Sequence, residues 1–499
     1  MFSAATKTGS QPSASFNYIE DVFSTYLYTG TGASQTITNN IDLFGKGGLT
    51  WIKNRSNTTG HRFTDTVRGT TKSLASNSTA AEATESTGLT AFNSTGFTIG
   101  ADVDYNTDTE NYVSWSFRKQ PKFFDVVTYT GDGTSGRTVS HSLGSVPGMM
   151  IVKRTDTAAD WQVYSIGANA TYGDPEQVFL VLNKTQAENF DASRWNNTRP
   201  TSTVFTLGNN ATVNASGGTY VAYLFAHNAG GFGTTGTDNV ISCGSYAGTG
   251  SNININLGYE PQYVMVKCAT AAVGWYVIDV MRGASNTGCV SLSPNTSSAE
   301  NDFTNSVIIP TATGFTVTNY SGAINAAGYD WIYMAIRRPM KVPTDATTVF
   351  KPVARAGTSD VASITGLGFA PDSMLTKNRG SGGSVDWSFN FFDRLRSGGN
   401  GYRLSTAYTN AENTSINFLT EMGSDGVSFP SIGYTATNGD GYNYINYMFA
   451  RRPGFFDEVC YTGNGTTQTV THNLGVAPEL VIVKQRNATG SWYVWAKPV

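Results

Sequence analysis

The residues with chemical potential recur in a fixed order. Five apolar runs end in lysine: Trp51-Ile52-Lys53, Met150-Ile151-Val152-Lys153, Val264-Met265-Val266-Lys267, Met374-Leu375-Thr376-Lys377 and Val481-Ile482-Val483-Lys484. After four of them comes an Ala-Glu pair, at Glu82, Glu188, Glu300 and Glu412. A lysine and a glutamate in constant order suggest acid and base. A lysine that ends an apolar strand, however, buries its stem and keeps its ammonium at the rim, where a carboxylate neutralises it. The expected arrangement is therefore structural: Lys53 with Glu82, Lys153 with Glu188, Lys267 with Glu300 and Lys377 with Glu412.

A second set is Asp65-x-x-Arg68, Asp279-x-x-Arg282 and Asp393-x-x-Arg396, replaced in the second copy by Ser165-Ile166-Gly167. The planar guanidinium matches a carboxylate with two parallel bonds, so a locked turn is expected. The run Asp102-x-Asp104-x-Asn106-x-Asp108-x-Glu110 has the look of a calcium ladder but lacks the glycine an EF-hand loop needs. It reads as a solvated hairpin tip.

No paired carboxylates of glycosidase type, no Ser/His/Asp set and no cysteine with a recurring histidine are found. His61, His141, His227 and His472 are scattered; His141 and His472 alone share a position, where a turn cap is expected. Cys243, Cys268, Cys289 and Cys460 fit neither a disulfide framework nor a zinc pattern and are expected as free thiols. The expectation is a protein without catalytic, metal or cofactor site.

These residues must be positioned by a repeated element. The lysines are 100, 114, 110 and 107 residues apart, the size of a small domain. Upstream of the lysine comes a Tyr-x-Gly turn (Tyr28, Tyr129, Tyr246, Tyr461), and downstream Trp161, Trp275, Trp387 or Trp492, with His61 in the first copy. A final strand then alternates, with Val113, Trp115 and Phe117 on one face and Tyr112, Ser114 and Ser116 on the other. Before it lie Asn-Gly turns, such as Asn214 with Gly217, Asn325 with Gly328 and Asn438 with Gly441, expected to use the tolerance of both residues for positive φ. The lysine runs are apolar on both faces, as a strand covered on two sides requires.

The expected fold is all-β: tandem β-sandwiches of jelly-roll or lectin-like type in an elongated array. The predicted units span 23–125, 126–238, 239–343 and 344–457, with a truncated fifth at 458–499 and an N-terminal arm at 1–22. Short linkers with proline, phenylalanine and aspartate predict a stiff rod, with Gly230-Gly231-Phe232-Gly233 as its one bending point. Half a sandwich exposes an apolar face and strand edges, so the fifth unit is expected to be completed by further sequence or by another chain.

With 14% charged residues, 54 glycines and a net charge of -3, the chain is poorly charged beside an average near 25% and rich in turns. It has no basic stripe for phosphates, so nucleic acid is not an expected partner. No apolar run reaches the roughly 20 residues of a membrane span, and Met1 to Gly9 has no secretory pattern.

Trp51 to Arg55, Asp65 to Gly69, Leu74 to Glu82 and Gly96 to Gly100 closely resemble a repeated domain in tail-fibre-like virion proteins of marine tailed phages of the cyanophage type. The small-residue opening resembles the start of such fibres. The resemblance implies a structural virion protein, a tail fibre or tail appendage used in host attachment. It would be made in the host cytoplasm, anchored to other tail proteins by its N-terminal arm through Met1, Phe2, Phe16 and Tyr18, and expected as a homotrimer. The alternatives are an adhesin whose sandwiches bind host surface glycans, and a capsid decoration protein.

Overall fold

A computed structural model describes residues 17–498, apart from 304–306, 321–323, 381–387, 399–400 and 415–417. Met1, Phe2, Phe16 and Trp387 lie outside the described residues. The protein is nearly all β, with 40% of residues in strands and 6% in helices, so the helices do no more than cap turns.

One plan recurs. A first strand (Phe23–Thr29, Phe124–Thr130, Ile241–Ala247, Phe350–Ala356) pairs antiparallel with a closing strand (Asn111–Arg118, Thr219–Ala226, Asp330–Arg337, Asn443–Phe449). The other edge of the closing strand pairs with the lysine strand (Gly48–Asn54, Pro147–Arg154, Pro261–Cys268, Ser373–Asn378). The lysine strand in turn pairs with a following strand (Arg62–Asp65, Gln162–Ser165, Trp275–Asp279, Asn390–Asp393). A smaller sheet lies on one face of each large one. In the first unit they meet through Tyr28, Ile37, Ile52, Phe97, Ile99 and Tyr112. The fifth unit contributes a lysine strand, Leu480–Lys484, and a following strand, Trp492–Ala496.

The Tyr-x-Gly turn has a physical cause. The hydroxyls of Tyr28, Tyr129 and Tyr246 donate to the carbonyls of Tyr105, Val213 and Ile324 at 2.7, 2.7 and 2.6 Å. The glycine two residues on packs against the same loop: a Cβ on Gly30 would stand 2.0 Å from the Thr107 carbonyl oxygen. The recurrent asparagine clamps this loop instead of supplying positive φ. Asn214 donates to the Gly208 carbonyl at 2.9 Å and accepts from the Asp132 amide at 3.0 Å; only Gly217, Gly328 and Gly441 take positive φ.

The elongated array is replaced by a closed ring of the first three units. The second face of each of their large sheets turns inward, and the three faces form one shared core. Leu49, Trp51, Phe63 and Trp115 come from the first unit, Ile151, Trp161, Tyr223 and Phe225 from the second, and Tyr263, Met265, Trp275 and Met334 from the third. Phe63 meets Trp161 at 5.2 Å and Tyr223 at 5.6 Å between ring centroids, and Trp115 meets Tyr263 at 6.1 Å. The reason lies in strands that are apolar on both faces: one sandwich buries one face only, so the other seeks neighbours. Ser114 and Ser116, on the face that alternation assigns to polar side chains, are buried too.

The predicted boundaries shift with this packing. Ile19 and Val22 are buried in the shared core, so 17–22 belongs to the folded body, not to an arm. Glu20 accepts the amides of Met340 and Lys341 at 2.6 and 2.7 Å, fixing the linker after the third unit. The Gly230–Gly233 junction is tied down: Gly233 donates to the Asn17 carbonyl, Gly231 to that of Gly236, and Phe232 packs on Phe123.

Candidate functional site: the recurrent seam between units

None of the four expected Lys–Glu pairs forms among the described residues. The lysines instead reach backbone carbonyls, mostly across a unit boundary. Lys153 donates to the Thr79 carbonyl of the first unit at 3.2 Å, Lys267 to Thr185 of the second at 3.1 Å, and Lys484 to Thr409 of the fourth at 3.3 Å. Each also bonds the carbonyl of the residue that follows it. Lys53 donates to Asn54 and Asn57 within its own unit, at 2.6 and 3.1 Å. Lys377 stands 4.9 Å from the Phe389 ring centroid.

The tryptophans follow the same rule. Trp161 Nε1 donates to the Ala75 carbonyl at 3.1 Å, Trp275 to Val181 at 2.9 Å and Trp492 to Ser405 at 3.1 Å, always in the preceding unit. The glutamates face the other way along the chain: Glu82 N–H donates to Thr155, Glu188 to Ala269 and Glu412 to Arg486. The glutamate of the third unit closes the circle. Glu300 N–H donates to the Arg55 carbonyl at 2.9 Å, and Arg55 returns a bond and ion pair to its carboxylate at 3.0 Å. The same seam thus joins first to second, second to third, third to first, and fourth to fifth. In the first unit His61 replaces tryptophan; its Nδ1 accepts from Trp51 at 3.0 Å. Burial, foremost, with Lys53 and Arg282, holds His61 well below its ordinary pKa, against the Ser293 carbonyl.

The carboxylates that were assigned to lysine belong to arginine. In three units one guanidinium makes three kinds of contact. Arg68 Nε bonds Asp65 at 2.6 Å, its Nη1 bonds Glu82 at 3.2 Å, and its Nη2 bonds the Phe63 carbonyl at 3.0 Å. Arg282 does the same with Asp279, Glu300 and Val277, and Arg396 with Asp393, Glu412 and Phe391. This turn also reads the neighbouring unit. Asp65 accepts the Tyr223 hydroxyl at 2.8 Å, and Asp279 accepts the Trp115 indole N–H at 3.1 Å. The corresponding closing-strand residue of the third unit is Met334, which has no proton to offer. That explains Glu188, without its arginine, accepts the Asn169 amide at 2.8 Å.

The remaining candidates are occupied internally. Asp104 pairs with Arg62, and Glu110 accepts the side-chain amides of Asn54 and Asn57. His141 and His472 accept the amides of Leu143 and Leu474 at 3.3 and 3.2 Å. Cys243, Cys268 and Cys460 are free thiols. Tyr18, half-buried, packs on the shared core beneath Lys341, whose Nζ lies 5.6 Å from its ring centroid.

Sequence reasoning missed the ionic knot that fastens the fourth and fifth units to the third. Arg451 holds Glu260 with two bonds of 2.8 Å and Asp457 at 2.9 Å; Arg338 adds Asp457 at 3.0 Å and Glu260 at 3.3 Å. All four side chains are under 10% exposed. The Phe-Phe-Asp linkers were the only available signal: Lys119 and Asp125 form the matching pair at 2.9 Å.

Burial lowers Lys53, Lys153 and Lys267 to a pKa of about 8. A neutral amine still has two N–H groups, enough for the two carbonyls that Lys153 serves. The folded protein therefore binds fewer protons than the unfolded chain above pH 8, and stability rises with pH until the unfolded-state lysines titrate near their ordinary 10.5. Buried tyrosines such as Tyr28 and Tyr129, pushed up by burial, have the opposite effect above about pH 10. Urea midpoints are expected to climb between pH 8 and about 10; a midpoint flat or falling over that window contradicts neutral lysines.

Residues 19–338 and 345–499 match one family, described as Domain of unknown function (DUF7483). No curated protein and no solved structure matches the chain.

Proposed function

The chain belongs to the DUF7483 family, whose match takes in all five units, and from that premise we propose that it is a structural virion protein of a tailed phage, a tail fibre or tail appendage used in host attachment. One observation carries this reading: the repeated lysines, glutamates, aspartates, arginines and tryptophans are spent on joining units. A residue set that recurs from copy to copy mainly to build seams and lock turns is the investment of a scaffold. An enzyme repeats a site only where it repeats a reaction.

The ring favours one modification of the expected homotrimer. Three units with cyclic contacts give a single chain its own pseudo-threefold body, so the threefold architecture of an appendage needs no two further copies. Its N-terminal residues, outside the described part, then serve as the tether to other tail proteins. Among the described residues no helix is long and apolar enough to cross a membrane.

Purified particles of a phage encoding the chain, labelled with antibody to the ring, test this reading. Label at the tail is the expected result. Label over the capsid faces would make the chain a decoration protein. Absence from washed particles would remove it from the virion altogether. Binding to a glycan array by the isolated chain would favour the adhesin.

A further inference from the structure

The ring closes through one seam that no linker spans. The first–second and second–third seams join consecutive units, whereas the third–first seam brings together Arg55 and Glu300, 245 residues apart. It is also built differently. Lys153 and Lys267 cross to the carbonyls of Thr79 and Thr185, but Lys53 stays on Asn54 and Asn57 of its own unit. Asn77, Asn183 and Asn295 accept the amides of His61, Trp161 and Trp275, and two residues before them stand Ala75, Val181 and Ser293. The indoles of Trp161 and Trp275 cross to the first two of these carbonyls. The shorter His61 faces the third, and its Nε2 makes no hydrogen bond.

The other ring nitrogen fixes the protonation state. Trp51 stands where the second and third units have Ile151 and Met265, and its indole N–H, which can only donate, bonds His61 Nδ1 at 3.0 Å. Neutral His61 therefore carries its proton on Nε2. A second proton, on Nδ1, would set donor against donor in a fully buried site. The ionisable groups that face His61 are Lys53 on the adjoining strand and Arg282 on the third unit's turn, both cations. The nearby carboxylates are engaged elsewhere: Asp279 and Glu300 on Arg282, Asp104 and Glu85 on Arg62, Glu110 on Asn54 and Asn57. An imidazolium would meet no counter-charge here.

We propose that the third–first seam is a latch opened by acid: protonation of His61 at Nδ1 breaks its bond with Trp51 and parts the first unit from the third, while the first–second seam holds. The fourth unit stays on the third, where Asn286 and Thr287 donate to the carbonyls of Leu395 and Arg396. It leaves the first, where Arg55 meets Glu421 and the Leu27 amide meets Ser424 Oγ. The opened form is a minor state, reached without melting the units. Its imidazole titrates near the ordinary 6.5, whereas the closed one stays neutral there. The closed seam is thus at full strength above that pH and weakens as pH falls.

Amide exchange of the full chain between pH 7 and 5, corrected for intrinsic rates, tests the latch. The Glu300 amide closes the third–first seam on the Arg55 carbonyl, and the Glu82 amide closes the first–second seam on Thr155. Protection of Glu300 and Leu27 is expected to fall about tenfold for each pH unit below about 6.5, roughly thirtyfold by pH 5, while Glu82 keeps its protection. The first–second seam is the control because His227, which accepts the Cys243 amide, lies at the second–third junction. His61→Asn keeps an acceptor but cannot titrate, and should make Glu300 protection independent of pH over the same window. Flat protection of Glu300 in the unaltered chain, or an equal fall at Glu82, overturns the proposal whether or not the variant folds. So does a pH dependence that persists in His61→Asn.

Discussion

Replacing Glu260 by alanine is expected to lower the stability of the attachment between the third unit and the fourth and fifth by about 3–5 kcal/mol, the cost of leaving a buried charge uncompensated. Glu260 and Asp457 balance Arg338 and Arg451, and Asn473 donates to Glu260 at 3.1 Å. Without Glu260 two guanidinium groups share one carboxylate in a nearly dry site. The ring keeps its own core, so Glu260→Ala should separate an early transition of residues 345–498 from a later one of residues 17–340, visible by limited proteolysis and hydrogen exchange. Adding Arg338→Met removes the surplus charge and should recover part of the loss. A single unchanged transition would mean that the knot contributes nothing. Acid probes the same site. Burial raises Asp457, but Arg451 and Arg338 outweigh it and hold its pKa below the ordinary value. Its contribution is therefore complete above the unfolded carboxylate pKa, near 4, and is lost as pH falls further.

Trp161→Ala should cost about 3–5 kcal/mol, the range for emptying a large buried aromatic site. Its indole is fully buried, touches Phe63 across the seam and donates to the Ala75 carbonyl. The informative outcome is where the loss is felt. Independent beads would lose the second unit alone. A shared core predicts that the first three units melt together at a lower temperature, so exchange protection falls in Gly48–Asn54 and Pro261–Cys268 as much as in Pro147–Arg154. Trp161→Phe keeps most of the volume and should cost less than half as much; that smaller cost measures the cross-seam hydrogen bond and residual cavity together.

Much of a unit was legible because its determinants are local. The alternation Val113, Trp115, Phe117 and the doubly apolar lysine runs marked the strands, and equal spacing marked the repeat. The same doubly apolar runs held the evidence for the ring, but burial on two faces does not say whose surface covers the second. Partner choice was misread for a related reason. Glu82, Glu300 and Glu412 were matched to lysines by order along the chain, whereas Arg68, Arg282 and Arg396 lie closer in space and present the better fork. The acceptors of Lys153 and Lys267 are main-chain carbonyls, which no side-chain pattern records. Glu260 and Arg451 are 191 residues apart and belong to different repeats, so no periodicity could pair them.

A circle assembled from three separate subunits falls apart on dilution, because its members must find one another. Here the members are tethered by short linkers, which hold them at effective concentrations in the millimolar range. Melting of the circle should therefore be the same at nanomolar and micromolar protein, and the three junctions remain free to diverge one at a time, as His61 in place of tryptophan already shows.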